Sequence, residues 1–188
     1  MQILSLSHLI ESKGEEIAID ILSSFCVSRN PDVEHFIHEL SVPYEKSNNA
    51  RTFLFLNDAQ DPMGFLSLAL NVLTIPEGLT ASLKKRIRGF GRLSCDSIPC
   101  YLIGQIARFD TSRKEDLTGD DMFSIVMDAA YEAQKLFGGR IVSVDCTDDL
   151  VQYYRKRGFI LLNKTEDLNQ MVYFISDKKG SPLLKKAS

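Results

Sequence analysis

The sequence predicts an α+β protein built on a mixed sheet. Three observations carry this. Apolar runs that alternate with polar residues, or that are rich in β-branched residues, recur along the chain as strands do. Between them lie stretches with apolar residues three and four apart, the spacing of amphipathic helices. Clusters of Gly, Pro, Asn and Asp punctuate the boundaries. The chain has 188 residues, 44% apolar and 25% charged, an ordinary globular profile. At roughly 150 residues per domain, one domain over residues 1–177 is expected, followed by a weakly ordered tail at 178–188.

QILSLSHL, residues 2–9, alternates and reads as a strand. From Gly14, the residues Ile17, Ile21, Leu22 and Phe25 recur at helical spacing. Asn30 caps a second helix, Pro31 fits its first turn, and Asp32 and Glu34 suit the positive end of its dipole. Its stripe is Val33, Phe36, Ile37 and Leu40, and Pro43 is expected to end it. Arg51–Leu56 and Met63–Ile75 read as two strands joined by the turn cluster NDAQDP, hence an antiparallel hairpin. Leu79–Arg88 is helical and is broken at Gly89 and Gly91. Ile98–Phe109 is the next strand.

Residues 119–137 form the clearest helix, with Met122, Val126, Ala129, Ala130, Ala133 and Phe137 on one face and Gly138-Gly139 as its stop. Arg140–Cys146 is a β-branched, buried strand. Thr147-Asp148-Asp149 opens a short helix that ends at Arg155-Lys156-Arg157 before Gly158. Phe159–Leu162 and Met171–Ile175 are the closing strands. The order is β-α-α-β-β-(α)-β-α-β-α-β-β. The stretch from Ile98 to Cys146 is expected to be a right-handed parallel crossover.

The net charge of −3 argues against a chain that coats nucleic acid. No apolar run approaches the roughly 18 residues that span a bilayer, and the start has no basic region of the secretory kind. A cytoplasmic protein is expected. Cys26, Cys95, Cys100 and Cys146 form no CxxC pair, and buried or incidental thiols are the expectation.

The informative segment is Tyr101–Phe159. The strand YLIGQIARFD runs into the loop TSRKEDLTGDD, which feeds the N-terminus of the long helix. Unpaired N–H groups and the dipole at such an end favour an anion. Gly119 permits close approach to the main chain, and Arg113 and Lys114 add positive charge, whereas Asp120 and Asp121 subtract from it. An anion site and a plain capped helix are equally supported by these residues alone. The run Lys84-Lys85-Arg86-Ile87-Arg88-Gly89-Phe90-Gly91-Arg92 holds five bases and no acid. It reads as a solvated helix face or as a patch for phosphates.

LIGQIA before the loop and VQYYRKRGF after the next strand make this segment resemble the GNAT acyltransferase superfamily. The similarity spans residues 50–160, with ARTFLFL and GFLSLALNVL as the second and third strands, and is closest to the toxin-like and phage-associated branch. The resemblance implies an acetyl-CoA-dependent N-acetyltransferase in which a primary amine attacks the thioester directly. It places the pantetheine along the fourth strand at Ile106, Ala107 and Arg108, and the pyrophosphate at Arg113, Lys114, Leu117, Thr118, Gly119 and Asp120. The family loop reads Gln/Arg-x-x-Gly-x-Gly/Ala; aligned on Gly119, this chain has Lys114 and Leu117 at the first two marks and departs at both. Tyr154 matches the tyrosine that faces the CoA sulfur and acts as general acid. No convincing general base stands out; Glu34, Glu39 and Asp145 are candidates, each also explained as a solvated or capping carboxylate.

Toxin-like relatives acylate aminoacyl-tRNA and have a separate antitoxin partner. On that resemblance Lys84, Lys85, Arg86, Arg88 and Arg92 are the candidate tRNA patch. A homodimer is left open. The altered loop also supports a second reading, a GNAT-like non-catalytic binding or regulatory protein with a degenerate CoA loop. A pure RNA-binding module is the weakest reading, because the chain carries no recognisable RNA motif.

Overall fold

A computed structural model describes residues 1–89 and 95–175. Gly91, Arg92 and the tail 178–188 lie outside the described residues. The strands are β1 (Gln2–Ser5), β2 (Arg51–Leu56), β3 (Pro62–Thr74), β4 (Ser97–Arg108), β5 (Ile141–Cys146), β6 (Ile160–Lys164) and β7 (Asn169–Phe174). They form one sheet in the order β1-β2-β3-β4-β5-β7-β6. The helices are α1 (Leu6–Lys13), α2 (Glu15–Ser23), α3 (Pro31–His35), α4 (Ser41–Lys46), α5 (Ala81–Arg88), α6 (Gly119–Phe137) and α7 (Val151–Lys156). A mixed α+β architecture is thus present, in the expected order from β2 onward. No described helix is long and apolar enough to cross a membrane.

The first strand is shorter than its alternation suggests. Ser5 accepts a hydrogen bond from the His8 N–H and caps α1, so Leu6 and Leu9 become one buried helical face rather than alternate strand positions. Asn30 caps α3 as expected, accepting from the Val33 N–H. Pro43 does not end the helical stretch. A π turn at Phe36–Leu40 leads into α4, and Pro43 falls in the first turn of α4, where a missing N–H costs nothing.

The chain divides into two compact units. The first comprises Met1–Ala69 and Ile103–Ala129 among the described residues. In it β1 pairs antiparallel with β2, and β2 with β3, the last pair being Arg51↔Leu68. Its core gathers Leu6, Leu9, Leu22, Ile37, Leu54, Phe65 and Phe109, all nearly sealed from solvent. Phe109 at the end of β4 stacks on Phe25 at 4.2 Å and on Phe65 at 6.0 Å. Glu45 is buried; it accepts the Thr52 N–H at 2.8 Å and pairs with Arg51 at 2.9 Å, which satisfies the carboxylate at the α4–β2 junction.

The second unit comprises Leu70–Leu102 and Ala130–Lys179, described as far as Ile175. β5 and β6 each pair antiparallel with β7. Leu73, Ile75, Ile87, Ile98, Cys100, Ile141, Leu162 and Val172 form its core. Thr80 caps α5 by accepting from the Leu83 N–H. At the other end of α5, Arg140 donates to the carbonyls of Arg86 and Ile87 at 3.0 and 2.7 Å and so satisfies the negative end of the helix. Gly89, at φ +68°, makes room: a Cβ there would sit 2.6 Å from the guanidinium.

Gly64 on β3 is the tightest close approach in the first unit. A Cβ at Gly64 would lie 2.5 Å from the Ala107 carbonyl oxygen and 2.8 Å from Leu117 Cδ2. Gly64→Ala is therefore expected to cost about 2–3 kcal/mol and lower Tm by about 4–12 °C. Gly78→Ala, with nothing within 4 Å, serves as the neutral control. Equal melting temperatures for the two variants would remove this packing constraint.

Candidate functional site

In the first unit β4 delivers Ile106, Ala107 and Arg108, all half-buried, to the loop that precedes α6. The Phe109 N–H donates to the Met63 carbonyl at 2.9 Å, which fixes the strand end. Leu117 is completely buried. Its side chain packs beside Gly64, so its bulk is turned into the protein. Arg108 donates to the Leu117 carbonyl at 3.3 Å and ties the loop to the strand.

Thr118 and Asp121 then cap α6 reciprocally. The Thr118 N–H and hydroxyl donate to Asp121 Oδ2 at 2.9 and 2.6 Å, and the Asp121 N–H donates to Thr118 Oγ1 at 3.1 Å. The spacing of this box, Thr-x-x-Asp, was a legible signal that the reading of the loop as an anion site passed over. Arg113 is held by Asp116 through two bonds at 2.9 and 3.2 Å, which lower the Asp116 pKa and raise that of Arg113. Lys114 and Asp120 are exposed, and Lys114 has no ion pair among the described residues. The structure thus brings together Ile106–Arg108, Arg113, Lys114, Leu117, Thr118, Gly119 and Asp120, with Arg113 already neutralised.

Next to the end of β4 lies the connection between α2 and α3. The Val27 N–H donates to Glu34 Oε2 at 2.6 Å, and the Ser28 N–H donates to Asp110 Oδ2 at 2.9 Å. Asp110 in turn donates its N–H to the Cys26 carbonyl. The Glu34 carboxyl is held below its usual value, first by the Val27 N–H and then by the Cys26 thiol. Asp110 is lowered by its bonds to Ser28. Cys26 is raised, chiefly by its bond to Glu34. Glu34 is therefore a structural acceptor for this connection and is poorly suited to be a base.

In the second unit Val151 and Tyr154 are the buried residues of α7. Tyr154 meets Tyr153 edge-on at 5.1 Å and Phe159 at 5.2 Å, and Phe159 meets Tyr173 at 5.5 Å. The Arg157 guanidinium lies 3.5 Å over the Tyr153 ring. Phe159 donates its N–H to the Tyr154 carbonyl, which closes the turn at Gly158. Burial pushes the Tyr154 phenol well above its ordinary value, so it stays protonated across the neutral range. Its hydroxyl has no hydrogen-bond partner among the described residues. Asp145 on β5 also rises, through desolvation, the direction a base requires. Glu39 is exposed.

The bases of α5 have partners of their own. Arg88 donates to the Cys95 carbonyl at 2.9 Å and pairs with Asp96 at 3.3 Å. Arg86 lies 4.0 Å over the Phe174 ring, and Lys84 reaches the Glu77 carbonyl. Lys85 is exposed without such a contact. Arg92 lies outside the described residues.

This is the GNAT-type fold, and solved structures of toxins are among those similar to it. No family model and no curated protein matches the sequence. A crystal structure of a tyrosine-to-phenylalanine mutant of KacT is similar at a TM-score of 0.66 and 16% identity, over 93% of this chain and 95% of that one. AtaT complexed with acetyl-methionyl-tRNAfMet gives a TM-score of 0.63 and 16% identity, over 81% and 86%. AtaTR bound with AcCoA gives 0.62 and 14%, over 81% and 86%. At these identities the likeness is one of fold.

The Glu34 and Asp110 bonds make the α2–α3 connection acid-sensitive. Both carboxyls are lowered from values of 4.5 and 3.8. Their contribution is thus full above about pH 5 and is lost as pH falls through the lowered folded values. Denaturant midpoints measured from pH 6 to pH 2.5 are expected to fall less steeply in a Glu34→Gln/Asp110→Asn variant than in the native chain. Parallel curves would show that these carboxylates do not hold the connection.

Proposed function

We propose that the protein is an acetyl-CoA-dependent N-acetyltransferase that passes the acetyl group directly to a primary amine, with aminoacyl-tRNA as the acceptor. The observation that carries this reading is Tyr154: a buried, protonated phenol whose ring is fixed by aromatic contacts and whose hydroxyl serves no hydrogen bond in the described protein. The loop fits the donor in one respect that the sequence left in question, because Leu117 is buried and does not crowd the main chain before Gly119.

Bound acetyl-CoA supplies the acetyl group as a thioester. In this reading Ile106, Ala107 and Arg108 bind its pantetheine through their main chain, and an N–H there steadies the developing oxyanion. Thr118, Gly119 and Lys114 hold the phosphates at the start of α6. As the carbon–nitrogen bond forms and the carbon–sulfur bond breaks, Tyr154 gives its proton to the departing sulfur. The attacking amine must be neutral and loses one proton; Asp145, whose pKa is raised by desolvation, is the candidate carboxylate.

AtaT, similar in fold, has been solved with acetyl-methionyl-tRNAfMet and, as a mutant, with the C-terminus of the antitoxin AtaR and acetyl-CoA. Those complexes support tRNA as the acceptor class and a separate antitoxin chain as the partner. Here Lys84, Lys85 and Arg86 are the candidate tRNA contacts. A specific observation favours a second reading, a non-catalytic binding protein: Arg113 is locked to Asp116, and Thr118 to Asp121, so two groups expected to meet the pyrophosphate are engaged internally.

Tyr154→Phe is expected to lower kcat by about 10²–10³-fold. At 100 times its Kd, acetyl-CoA should stabilise both proteins equally, by about 2.7 kcal/mol, or about 5–11 °C in Tm. An unchanged rate would remove the general-acid role, and the absence of any thermal shift would leave the binding-protein reading in place. Replacing Lys84, Lys85 and Arg86 by Ala is expected to weaken tRNA binding and flatten its dependence on log salt concentration by about 2–3 units. Unaltered affinity and slope would exclude this surface as the tRNA contact.

A further inference from the structure

The second unit holds a cavity of about 380 Å³ that the proposed chemistry does not use. It lies where the C-terminal end of α5 meets the starts of β4 and β5. Its size is at the lower end of the ~300–1,000 Å³ range of small-ligand sites. Ile87, Ile98 and Ile141 give it an apolar wall, and all three belong to the core of this unit, so that wall is fixed. Pro99, which is exposed, adds a rigid apolar ring. Two arginines from different elements complete it, and main-chain carbonyls hold each of them. Arg140 spends Nη2 on the Arg86 and Ile87 carbonyls, and its Nε and Nη1 bond to nothing among the described residues. Arg88 spends Nε on the Cys95 carbonyl and Nη2 on Asp96, which leaves Nη1 in the same condition.

No carboxylate is among the described residues of the wall, and the Asp96 side chain, paired with Arg88 at 3.3 Å, is 91% exposed. The Ile87 and Gly139 carbonyls are already taken, by Arg140 and by Gln134. The unused side-chain groups of the cavity are therefore all donors, and all cationic. A guanidinium fork matches the oxygens of a phosphate, and one anchored along an edge loses little further freedom on binding. We propose that this cavity binds one nucleoside monophosphate unit, with its phosphate on Arg88 and Arg140 and its base against the isoleucines and Pro99. A bare phosphate would leave the apolar wall unused, and a duplex is too large to enter. The unit can come from a free nucleotide or from an unpaired nucleotide of an RNA strand. The inference stands on the second unit alone and does not depend on acetyl transfer.

The test is isothermal titration of the full chain with AMP, adenosine and inorganic phosphate. AMP is expected to bind, and adenosine and phosphate each to bind about tenfold or more weakly, since each lacks half of the contacts. Arg140→Gln and Pro99→Glu are each expected to weaken AMP binding by about tenfold or more, the second by setting a carboxylate beside the two guanidinium groups. Pro99→Glu decides the matter should the loss of Arg140 loosen α5, because Pro99 is exposed. Lys114→Ala, at the loop before α6, is expected to leave AMP binding unchanged. A 5′-phosphorylated single-stranded RNA hexamer that displaces AMP and binds more tightly assigns the site to an RNA strand; AMP binding that the hexamer does not displace assigns it to a free nucleotide. No AMP binding at millimolar concentration, equal binding of adenosine, or binding that survives Arg140→Gln and Pro99→Glu but falls in Lys114→Ala would each overturn the proposal. The last result would put the nucleotide at the start of α6.

Discussion

The contact between Leu117 and Gly64 decides where the loop before α6 can run. Leu117 is sealed from solvent, and the space it fills exists because residue 64 has no side chain. With Leu117 anchored and its carbonyl bonded by Arg108, the next residue, Thr118, stands at the N-cap of α6. The position of the helix N-terminus relative to the end of β4 thus follows from one apolar side chain entering the core. The bulk of Leu117 is resolved inward, against Gly64. The orientation of the main chain from Thr118 to Asp121 rests on this anchor, and so does any anion chemistry there.

Electrostatics in the same loop run against a simple positive pocket. Arg113 is matched by Asp116, and Asp121 draws on Thr118. The bases of α5 are similarly engaged, Arg88 with Asp96 and Arg86 over Phe174. A bidentate pair exposed to solvent is worth little to stability and is cheap to open. Such pairs hold the loop in one shape.

Most of the element order was legible, because patterns over ten or more residues average out local ambiguity. The α6 boundaries at Gly119 and Phe137, and β2 from Arg51 to Leu56, are where their periodicity puts them. The misreadings are local. SLSHL alternates like a strand, yet the Ser5 hydroxyl tips it into a helix by capping, an effect worth only ~1 kcal/mol. Pro43 looked like a terminator, but a π turn upstream shifts it into a first turn. Within the site, sequence could name Lys114, Gly119 and Tyr154 by resemblance. It could not show that Leu117 turns inward, because that depends on Gly64, more than fifty residues away. Nor could it show that Glu34 is consumed by the Val27 N–H, since a carboxylate four residues after a cap reads equally as dipole-stabilising or catalytic.

Tyr154 is the residue whose presence packing explains least. Its ring makes the edge-on contacts with Tyr153 and Phe159 that close the end of α7, and a phenylalanine would make the same contacts. What the tyrosine adds is a hydroxyl held at 4% residue exposure with no hydrogen bond in the described protein. The same burial raises the phenol pKa, which keeps the proton in place at neutral pH and makes the phenol a weaker acid toward a thiolate. Arg157 over the neighbouring Tyr153 ring lets the phenol keep that proton without being locked, because a cation at the far ring favours the phenolate only weakly.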